Sequence, residues 1–356
     1  MEQRLREQEA PANQVGTYLY NVPMLYPTVR PILFALDPER AHRLTLDALR
    51  VAGHLPGPHV RGAAVDLMGL HFPNRVGLAA GFDKNAEAIE GLGRLGFGFV
   101  EIGTVTPRPQ PGQPRPRIFR LPQNRALINR MGFPSEGASA VAARLRQRSR
   151  YRGILGINIG KNADTPLDRA IDDYVSCLRS LHIFADYIAV NISSPNTASL
   201  RDLHAPERLE PFVTALLTER DALLRGGTRR LPLLLKVSPD LDATSLGSLA
   251  QVAKRVSLDG IIATNTTVTR DALGANDPQQ TGGLSGVPLH ALSLGIVAQL
   301  RRLLGPAYPL IGVGGIDSPA TALAMRRAGA DLVQLYTGMV YRGPGIVRQC
   351  VRALRE

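Results

Sequence analysis

Eight short runs of apolar residues recur along the chain, mostly alternating with stretches of helical spacing. They span residues 75–80, 97–103, 153–160, 187–191, 231–237, 260–265, 308–314 and 330–336. Runs that are apolar at successive positions are typical of parallel strands covered by helices on both faces. Eight such units over about 280 residues predict an α/β fold, a (β/α)8 or TIM barrel. A doubly wound sheet is the alternative, but the count of eight and the missing early GxGxxG motif weigh against it.

The N-terminal part of the chain has a different pattern. Residues 1–22 lack apolar periodicity and are predicted to be a flexible leader. Within 23–53, apolar residues recur at helical spacing, and Asp37 and Pro38 have the types expected at the N-cap and first position of a second helix. We therefore predict an amphipathic two-helix unit at 23–53, a linker and the start of the barrel at 54–74, and the barrel itself at 75–356.

Polar residues or glycines follow most of the apolar runs. They are Lys84, Thr104, Asn158, Asn191, Lys236, Thr264, Asn265, Gly314, Gly315, Tyr336 and Thr337. In a barrel the carboxyl ends of all strands meet at one face, where the active sites of this fold are built. The stretch "NISSPNT" (191–197) would be compatible with ordinary turn chemistry, but its position predicts that it belongs to a site.

Composition narrows the class of protein. The two cysteines, Cys177 and Cys350, have no metal-ligand spacing and favour a reducing compartment. No apolar run reaches the ~20 residues needed to span a bilayer, and the start of the chain does not resemble a signal peptide. The formal net charge of +12 would suit nucleic acid, anionic lipid or an anionic substrate, and it is equally compatible with a bias that has no partner. We expect a protein that is cytosolic or attached to a membrane from the cytosolic side.

Two loops carry candidate binding groups. Small residues in "AAGFDKN" (79–85) would let backbone approach a ligand beside Lys84. The Pro-rich segment 104–133 is long enough to be a lid or binding loop rather than a rigid spacer. It ends in an amide followed by an apolar wall: Asn129, Arg130, Met131, Gly132 and Phe133.

Glycine-rich segments follow the last three strands: "TGGLSG" (281–286), "GVGGI" (312–316) and "YTG" (336–338). Their backbone N–H groups are predicted to hold a phosphate, such as that of FMN. The ammonium of Lys236 is expected near the pyrimidine end of a flavin. No metal site is predicted, because the motifs offer amides, hydroxyls and ammonium groups. Such groups suit a planar ligand and a cofactor that carries the redox chemistry.

With these motifs the chain resembles the dihydroorotate dehydrogenase family, in its quinone-linked, membrane-associated class. The resemblance covers roughly residues 26–350 and rests on "GLAAGFDKN", "EIGTVTPRPQPG", "INRMGF", "GINIGKN", "NISSPNT", "ATNTT", "TGGLSG" and "IGVGGI". It implies a (β/α)8 barrel that uses FMN to oxidise dihydroorotate to orotate and passes electrons to a quinone. It also implies a peripheral location on the cytoplasmic side of the inner membrane, at an anionic membrane surface.

The resemblance also implies roles for individual residues. Ser194 would be the catalytic base, with Thr197 and Phe133 providing the proton relay and its apolar cover. Residues that would bind substrate are Lys84, Asn129, Arg130, Met131, Gly132, Phe133, Asn191, Asn196, Asn265 and Thr266. Residues that would bind FMN are Ala80, Gly81, Phe82, Asp83, Lys84, Thr104, Asn158, Asn191, Lys236, Thr264, Gly286, Gly315, Tyr336 and Thr337.

The two N-terminal helices are expected to form a hydrophobic lid that admits quinone. The resemblance places His42 and Arg120 at the quinone entrance. A helical cap on the barrel floor is the alternative. Two other functions are alternatives. A flavin enzyme acting on tRNA would need a reactive loop cysteine and an RNA-binding domain, and a lipid-binding scaffold would leave the rim unexplained. We expect no nucleic-acid partner and no obligate protein partner.

Overall fold

The computed structural model describes residues 26–54, 60, 62–147, 151, 153–197, 199–225, 227 and 229–355. The predicted leader 1–22 and the first residues of the predicted helical unit lie outside this range. The strands are β1 (Val65–Leu67), β2 (Leu70–Phe72), β3 (Val76–Leu78), β4 (Phe99–Val105), β5 (Ile118–Leu121), β6 (Ala126–Asn129), β7 (Ile154–Ile159), β8 (Tyr187–Asn191), β9 (Leu233–Val237), β10 (Gly260–Ala263), β11 (Gly283–Gly286), β12 (Leu310–Val313) and β13 (Leu332–Leu335).

Helices lie between and around these strands. The α-helices are α1 (Tyr26–Ala35), α2 (Pro38–Ala52), α3 (Ile89–Arg94), α4 (Ala138–Arg146), α5 (Ala170–Leu181), α6 (Pro206–Leu223), α7 (Ala243–Arg255), α8 (His290–Leu304), α9 (Pro319–Arg327), α10 (Thr337–Arg342) and α11 (Gly345–Ala353). Short 3-10 helices cover Pro122–Asn124, Leu167–Arg169, Leu200–His204, Asp271–Asn276 and Val287–Leu289.

Eight parallel strands close into a barrel in the order β3-β4-β7-β8-β9-β10-β12-β13. Each lies at or within one of the eight apolar runs, except that β4 extends two residues past its run. The pairing of β13 with β3, through Val333 and Val76, closes the sheet and rules out the doubly wound alternative. All residues of β8 and β9 are buried, as expected for strands covered on both faces. The predicted TIM barrel is confirmed.

A β-hairpin closes the amino-terminal end of the barrel. Strands β1 and β2 pair through a turn at Met68 and Gly69, which both have positive φ. Phe72 at the end of β2 is fully buried and packs edge-on against Phe99 at 5.4 Å. The hairpin falls within the predicted linker at 54–74, and its three-residue strands were too short to be recognised from periodicity.

Helices α1 and α2 pack near the opposite, carboxyl-terminal end. In α1, the Arg30 guanidinium donates to the Tyr341 carbonyl of α10 at 3.1 Å, and Phe34 packs edge-on against the Tyr341 ring. Asp37 caps α2, as its sequence position predicts, by accepting from the N–H groups of Glu39 and Arg40. The hairpin, not these helices, therefore forms the barrel floor. Among the described residues, no helix is long and apolar enough to cross a membrane.

Candidate active site

A three-stranded sheet stands above the carboxyl-terminal rim. It has the order β11-β6-β5, and β6 pairs with β11 so that Asn129 lies opposite Gly283. Asn129 also lies opposite Ile118 of β5. This pairing brings the end of the Pro-rich loop against the glycine-rich segment 281–286, about 150 residues later in the chain.

A cavity lies between this sheet and the barrel rim. Most of the predicted site residues line it: Ala80, Gly81, Lys84, Thr104, Asn129, Met131, Gly132, Phe133, Asn191, Ser194, Asn196, Lys236, Thr264, Asn265, Thr266, Gly286, Gly315, Tyr336 and Thr337. They come from the loops after seven of the eight barrel strands and from the overlying sheet. The cavity therefore has the location in which barrels build active sites.

The loop after β8 carries Ser194 into the cavity, where the serine is only 5% exposed. The Asn196 N–H donates to Ser194 Oγ at 3.2 Å. The Asn196 amide in turn donates to the Asn129 carbonyl of β6 at 3.1 Å. The Asn265 amide donates to Ser193 Oγ at 2.9 Å and so joins the loop after β10 to the serine loop. The loop that carries Ser194 is thus anchored to β6 through Asn196 and to the loop after β10 through Ser193.

A chain of buried polar groups runs beneath these amides. Asn191 Nδ2 donates to Thr104 Oγ1 at 3.1 Å, and Thr104 Oγ1 donates to Asn158 Oδ1 at 2.6 Å. Asn158 Nδ2 donates further inward to Glu101 Oε1 at 2.9 Å. These bonds fix the orientation of the cavity-facing amide and hydroxyl, because each buried donor has a specific partner.

Two lysines place positive charge at the cavity. Lys84 Nζ donates to the Gly81 carbonyl at 2.7 Å. Burial lowers the pKa of Lys84 to about 8, although the nearby Glu39 carboxylate acts in the opposite direction. Lys236 is buried, with Nζ 3.4 Å from Glu101 Oε1.

The glycine-rich end of the cavity leaves backbone exposed to a ligand. Gly286 has a φ of 97°, and a Cβ there would lie 2.3 Å from the Arg125 carbonyl oxygen. Gly315 has a φ of 65°, and a Cβ there would lie 2.5 Å from His290 Cβ. Side chains are excluded at both positions. Together with the amides, hydroxyls and ammonium groups, this bare backbone fits a planar polar ring that carries a phosphate.

Several predicted residues lie outside the cavity lining. Arg130 turns to Gln280 Oε1 at 2.9 Å and packs its guanidinium over Phe119. Asp83 is fully buried and accepts from the N–H groups of Glu87 and Ala88, both at 2.8 Å. Phe82 packs edge-on against the rings of His42 and Tyr336. Asn158 lies below the cavity floor, and Thr197 is buried in the serine loop without lining the cavity.

The two residues predicted at the quinone entrance are not brought together. Arg120 donates to the carbonyls of Phe34 and Leu36, at 3.1 and 2.8 Å, and so binds the C-terminal end of α1. His42 lies instead in a polar cleft that adjoins the cavity at Lys84. Burial lowers the pKa of His42 to about 3, which keeps the ring neutral at physiological pH.

Sequence reasoning missed three polar residues of this region. Gln334 of β13 and Ser285 of β11 line the cavity, and Glu101 of β4 lies beneath it. For Glu101 and Gln334 the available signal was a polar residue inside an otherwise apolar strand, "FVEIG" and "LVQLY". Such a residue is expensive to bury unless it is paired. The two cysteines, by contrast, are buried away from the cavity.

The described residues contain no cluster of side chains that could hold a metal ion. The closed barrel and the cavity at the carboxyl ends of its strands define a (β/α)8-barrel enzyme.

Comparison with known proteins identifies the family. A sequence model described as dihydroorotate dehydrogenase matches residues 62–356. The chain is 53% identical over 336 residues to dihydroorotate dehydrogenase (quinone) of Aromatoleum aromaticum, covering 94% of this chain and 96% of the relative. It is 51% identical to the protein of that name from Azoarcus sp., over 94% and 99% of the two chains. A crystal structure of Eimeria tenella DHODH in complex with ferulenol superimposes with a TM-score of 0.82 at 40% identity, covering 88% of this chain and 90% of that one.

The chain belongs to the dihydroorotate dehydrogenase family and is an oxidoreductase. The resemblance found in its motifs is thereby confirmed. Members of this family depend on a flavin.

Proposed function

We propose that the protein oxidises dihydroorotate to orotate in pyrimidine biosynthesis, with FMN as redox cofactor and a membrane quinone as electron acceptor. The observation that carries the proposal is the convergence, in one cavity, of Ser194, four asparagine amides and Lys84 with a glycine-lined end that suits a phosphate. Relatives named dihydroorotate dehydrogenase (quinone) support the choice of acceptor.

The amides and Lys84 hold the substrate. Dihydroorotate is a ring of amide groups bearing a carboxylate, so it needs donors and acceptors in one plane and a positive charge at one edge. Asn129, Asn191, Asn196 and Asn265 supply the amide partners, and the Lys84 ammonium meets the carboxylate. Met131 and Phe133 form an apolar wall that keeps water from the ring.

Ser194 removes the proton from C5 of the substrate. A neutral serine hydroxyl is a weak base, so Oγ can take the C5 proton only as its own hydroxyl proton is passed on, and the alkoxide character that Oγ acquires in that step has to be stabilised. The N–H of Asn196, 3.2 Å from Oγ, donates to that charge. Thr197, in the same loop, takes part in the relay, and Phe133 covers it.

FMN would supply the redox chemistry at this site, as acceptor for a hydride from C6 of dihydroorotate and as donor of electrons to the quinone. Of the residues that line the cavity, Gly286, Gly315 and Thr337 would hold its phosphate, while Ala80, Gly81, Thr104, Thr264 and Tyr336 would enclose the ring and its linker. The positive charge of Lys236, which also lines the cavity, would stabilise negative charge on the ring. Serine and threonine hydroxyls also pair at the phosphate end, where Ser285 Oγ and Thr337 Oγ1 are 2.8 Å apart.

The N-terminal helices rest on the cytoplasmic side of the inner membrane. Ile32 of α1 and Leu44 and Val51 of α2 are 66%, 48% and 62% exposed. Exposed large apolar side chains on amphipathic helices favour insertion into a lipid interface, and neighbouring arginines favour an anionic surface. Quinone reaches the cavity past these helices, with Arg120 holding the C-terminal end of α1 and His42 of α2 lying in the cleft that adjoins the cavity at Lys84.

The test is anaerobic mixing of the purified, flavin-loaded protein with dihydroorotate. The flavin absorbance should bleach, and a quinone should restore it much faster than fumarate or NAD⁺ does. Ser180→Ala, which removes an exposed hydrogen bond on α5, is the control variant and should behave as the unmodified protein. Absence of bleaching would refute the dehydrogenase, whereas bleaching followed by preferential reoxidation with fumarate or NAD⁺ would refute only the quinone assignment.

A further inference from the structure

The carboxylate of Glu101 lies fully buried inside the barrel below the cavity. Its Oε1 accepts from Asn158 Nδ2 at 2.9 Å and from Lys236 Nζ at 3.4 Å. Its Oε2 accepts from the Tyr187 hydroxyl at 3.0 Å and from Gln334 Nε2 at 2.7 Å. Donors from β7, β8, β9 and β13 thus surround a residue of β4. An acceptor-only group with four donors is the arrangement expected of an ionised carboxylate.

Two of these partners also line the cavity. Lys236 and Gln334 stand between Glu101 and the space where the ligand ring would lie. Because Gln334 Nε2 is committed to Glu101, its other amide atom, Oε1, is buried and has no partner among the described residues. An unpaired buried acceptor beside a cavity is costly unless a ligand N–H satisfies it.

Stability of the barrel does not by itself account for this arrangement. Replacing a buried ion pair by apolar residues of similar volume is often neutral or stabilising. The distinctive consequence of Glu101 is instead electrostatic, since it puts a negative charge against the Lys236 ammonium at the cavity floor. In a low-dielectric interior such a charge acts over several ångströms.

We propose that Glu101 is a positioning residue that sets the reduction potential of the bound flavin. It orients Lys236 and Gln334 toward the ring, and its charge offsets part of the Lys236 charge. This inference rests on the proposed function for the identity of the cofactor. Without Glu101 the positive charge of Lys236 would be uncompensated, and the electron-rich, reduced form of the ring would be more stable.

Glu101→Gln is the direct test because it removes the charge and keeps the shape. The fold can accommodate the new amide: the Tyr187 hydroxyl can turn to accept, and the Gln334 amide can flip to present Oε1. Spectroelectrochemical titration of the flavin-loaded protein should show a higher midpoint potential. The reduced-to-oxidised ratio at a fixed potential should rise at least about tenfold, which is roughly 30 mV for a two-electron couple.

Two further variants separate charge from structure. Glu101→Asp retains the carboxylate and should keep the potential close to that of the unmodified protein. Asp259→Asn removes the same unit of charge from an ion pair with Arg220 at the amino-terminal end of β10, and it should leave the potential unchanged. A potential that is unchanged in Glu101→Gln, or raised equally by Asp259→Asn, would overturn the proposal.

If Glu101→Gln does not fold, Tyr187→Phe gives the same test with the opposite sign. It removes one donor from Oε2, so more of the negative charge acts on the cavity and the potential should fall. An unchanged potential there would also overturn the proposal. The titration needs no dihydroorotate. A flavin-loaded protein that dihydroorotate fails to bleach would therefore refute the proposed function while leaving this comparison intact.

Discussion

Arg201 connects three loops around the proposed base, and its removal should misplace Ser194. Its Nε donates to the Ser193 carbonyl at 3.2 Å, and its Nη2 donates to the Thr266 carbonyl, also at 3.2 Å. Its Nη1 meets Asp240 Oδ2 at 2.7 Å. Asp240 in turn accepts from the Thr267 hydroxyl and from the Val268 N–H. The loops after β8, β9 and β10 are therefore held by one guanidinium.

The expected size of the effect follows from these bonds. Arg201→Met keeps most of the side-chain stem but removes one charge-assisted hydrogen bond and two bonds to carbonyls. It also leaves Asp240, with only 13% of its side chain exposed, without its cation. The free energy of unfolding should fall by about 2–4 kcal/mol. A displacement of Ser194 by about 1 Å should slow flavin reduction by roughly 100-fold.

Stopped-flow reduction by dihydroorotate and chemical unfolding measure the two effects. Arg220→Met is the matched control, because Arg220 forms a comparably buried pair with Asp259 at the other end of the barrel. The control should lose stability, though less than Arg201→Met because Asp259 keeps its ion pair with Arg230, and it should retain its reduction rate and flavin content. If both variants slow reduction equally, the effect is a general loss of stability. If Arg201→Met reduces at the normal rate, the reasoning about loop positioning is wrong.

Four further outcomes are expected. Ser194→Ala should keep its flavin but be reduced by dihydroorotate about 10²–10⁴-fold more slowly in stopped flow, whereas the exposed helical change Ser180→Ala should have no effect. Burial lowers the pKa of Lys84 to about 8, so its ammonium is lost as pH rises through that value, and the KM for dihydroorotate should increase above it. Lys84→Met should abolish this pH dependence. A KM of the unmodified protein that does not change with pH would contradict the prediction. Glutamates in place of Ile32, Leu44 and Val51 should reduce both sedimentation with anionic liposomes and turnover with a long-chain quinone. Bleaching of the flavin by dihydroorotate should stay intact. Unimpaired binding to the liposomes would argue against a membrane-binding surface on these helices. Phe72→Ala should lower the free energy of unfolding, measured by denaturant titration, by about 3–5 kcal/mol because it opens a cavity in the barrel floor. A loss below about 1 kcal/mol would contradict the packing of Phe72 in that floor.

The barrel was predictable from the chain because its strands are buried on both faces. Burial on both faces produces continuous apolar runs, so strands such as β8 and β9 can be recognised without knowing which strands they pair with. The rim residues were predictable for a related reason: a parallel barrel sends every strand's carboxyl end to one face, so Ser194, Asn265 and Lys236 share a face once the strand count is known. The motif resemblance then identified the family.

What the sequence could not supply depends on contacts between distant segments. The sheet over the cavity pairs Asn129 with Gly283, and none of its three short strands has a periodicity that distinguishes it from loop. The polar residues Glu101 and Gln334 stood out only as interruptions of apolar strands, and their meeting depends on closure of the barrel. Arg130 and Asp83 belong to recognisable motifs, yet their side chains turn to local partners, since a buried or half-buried polar group takes the nearest hydrogen bond that the tertiary structure offers.

Chain pattern thus determined which segments form the barrel and which face carries the site, because burial leaves a local signature. Tertiary structure decided which side chains face the cavity, because that depends on partners far apart in sequence.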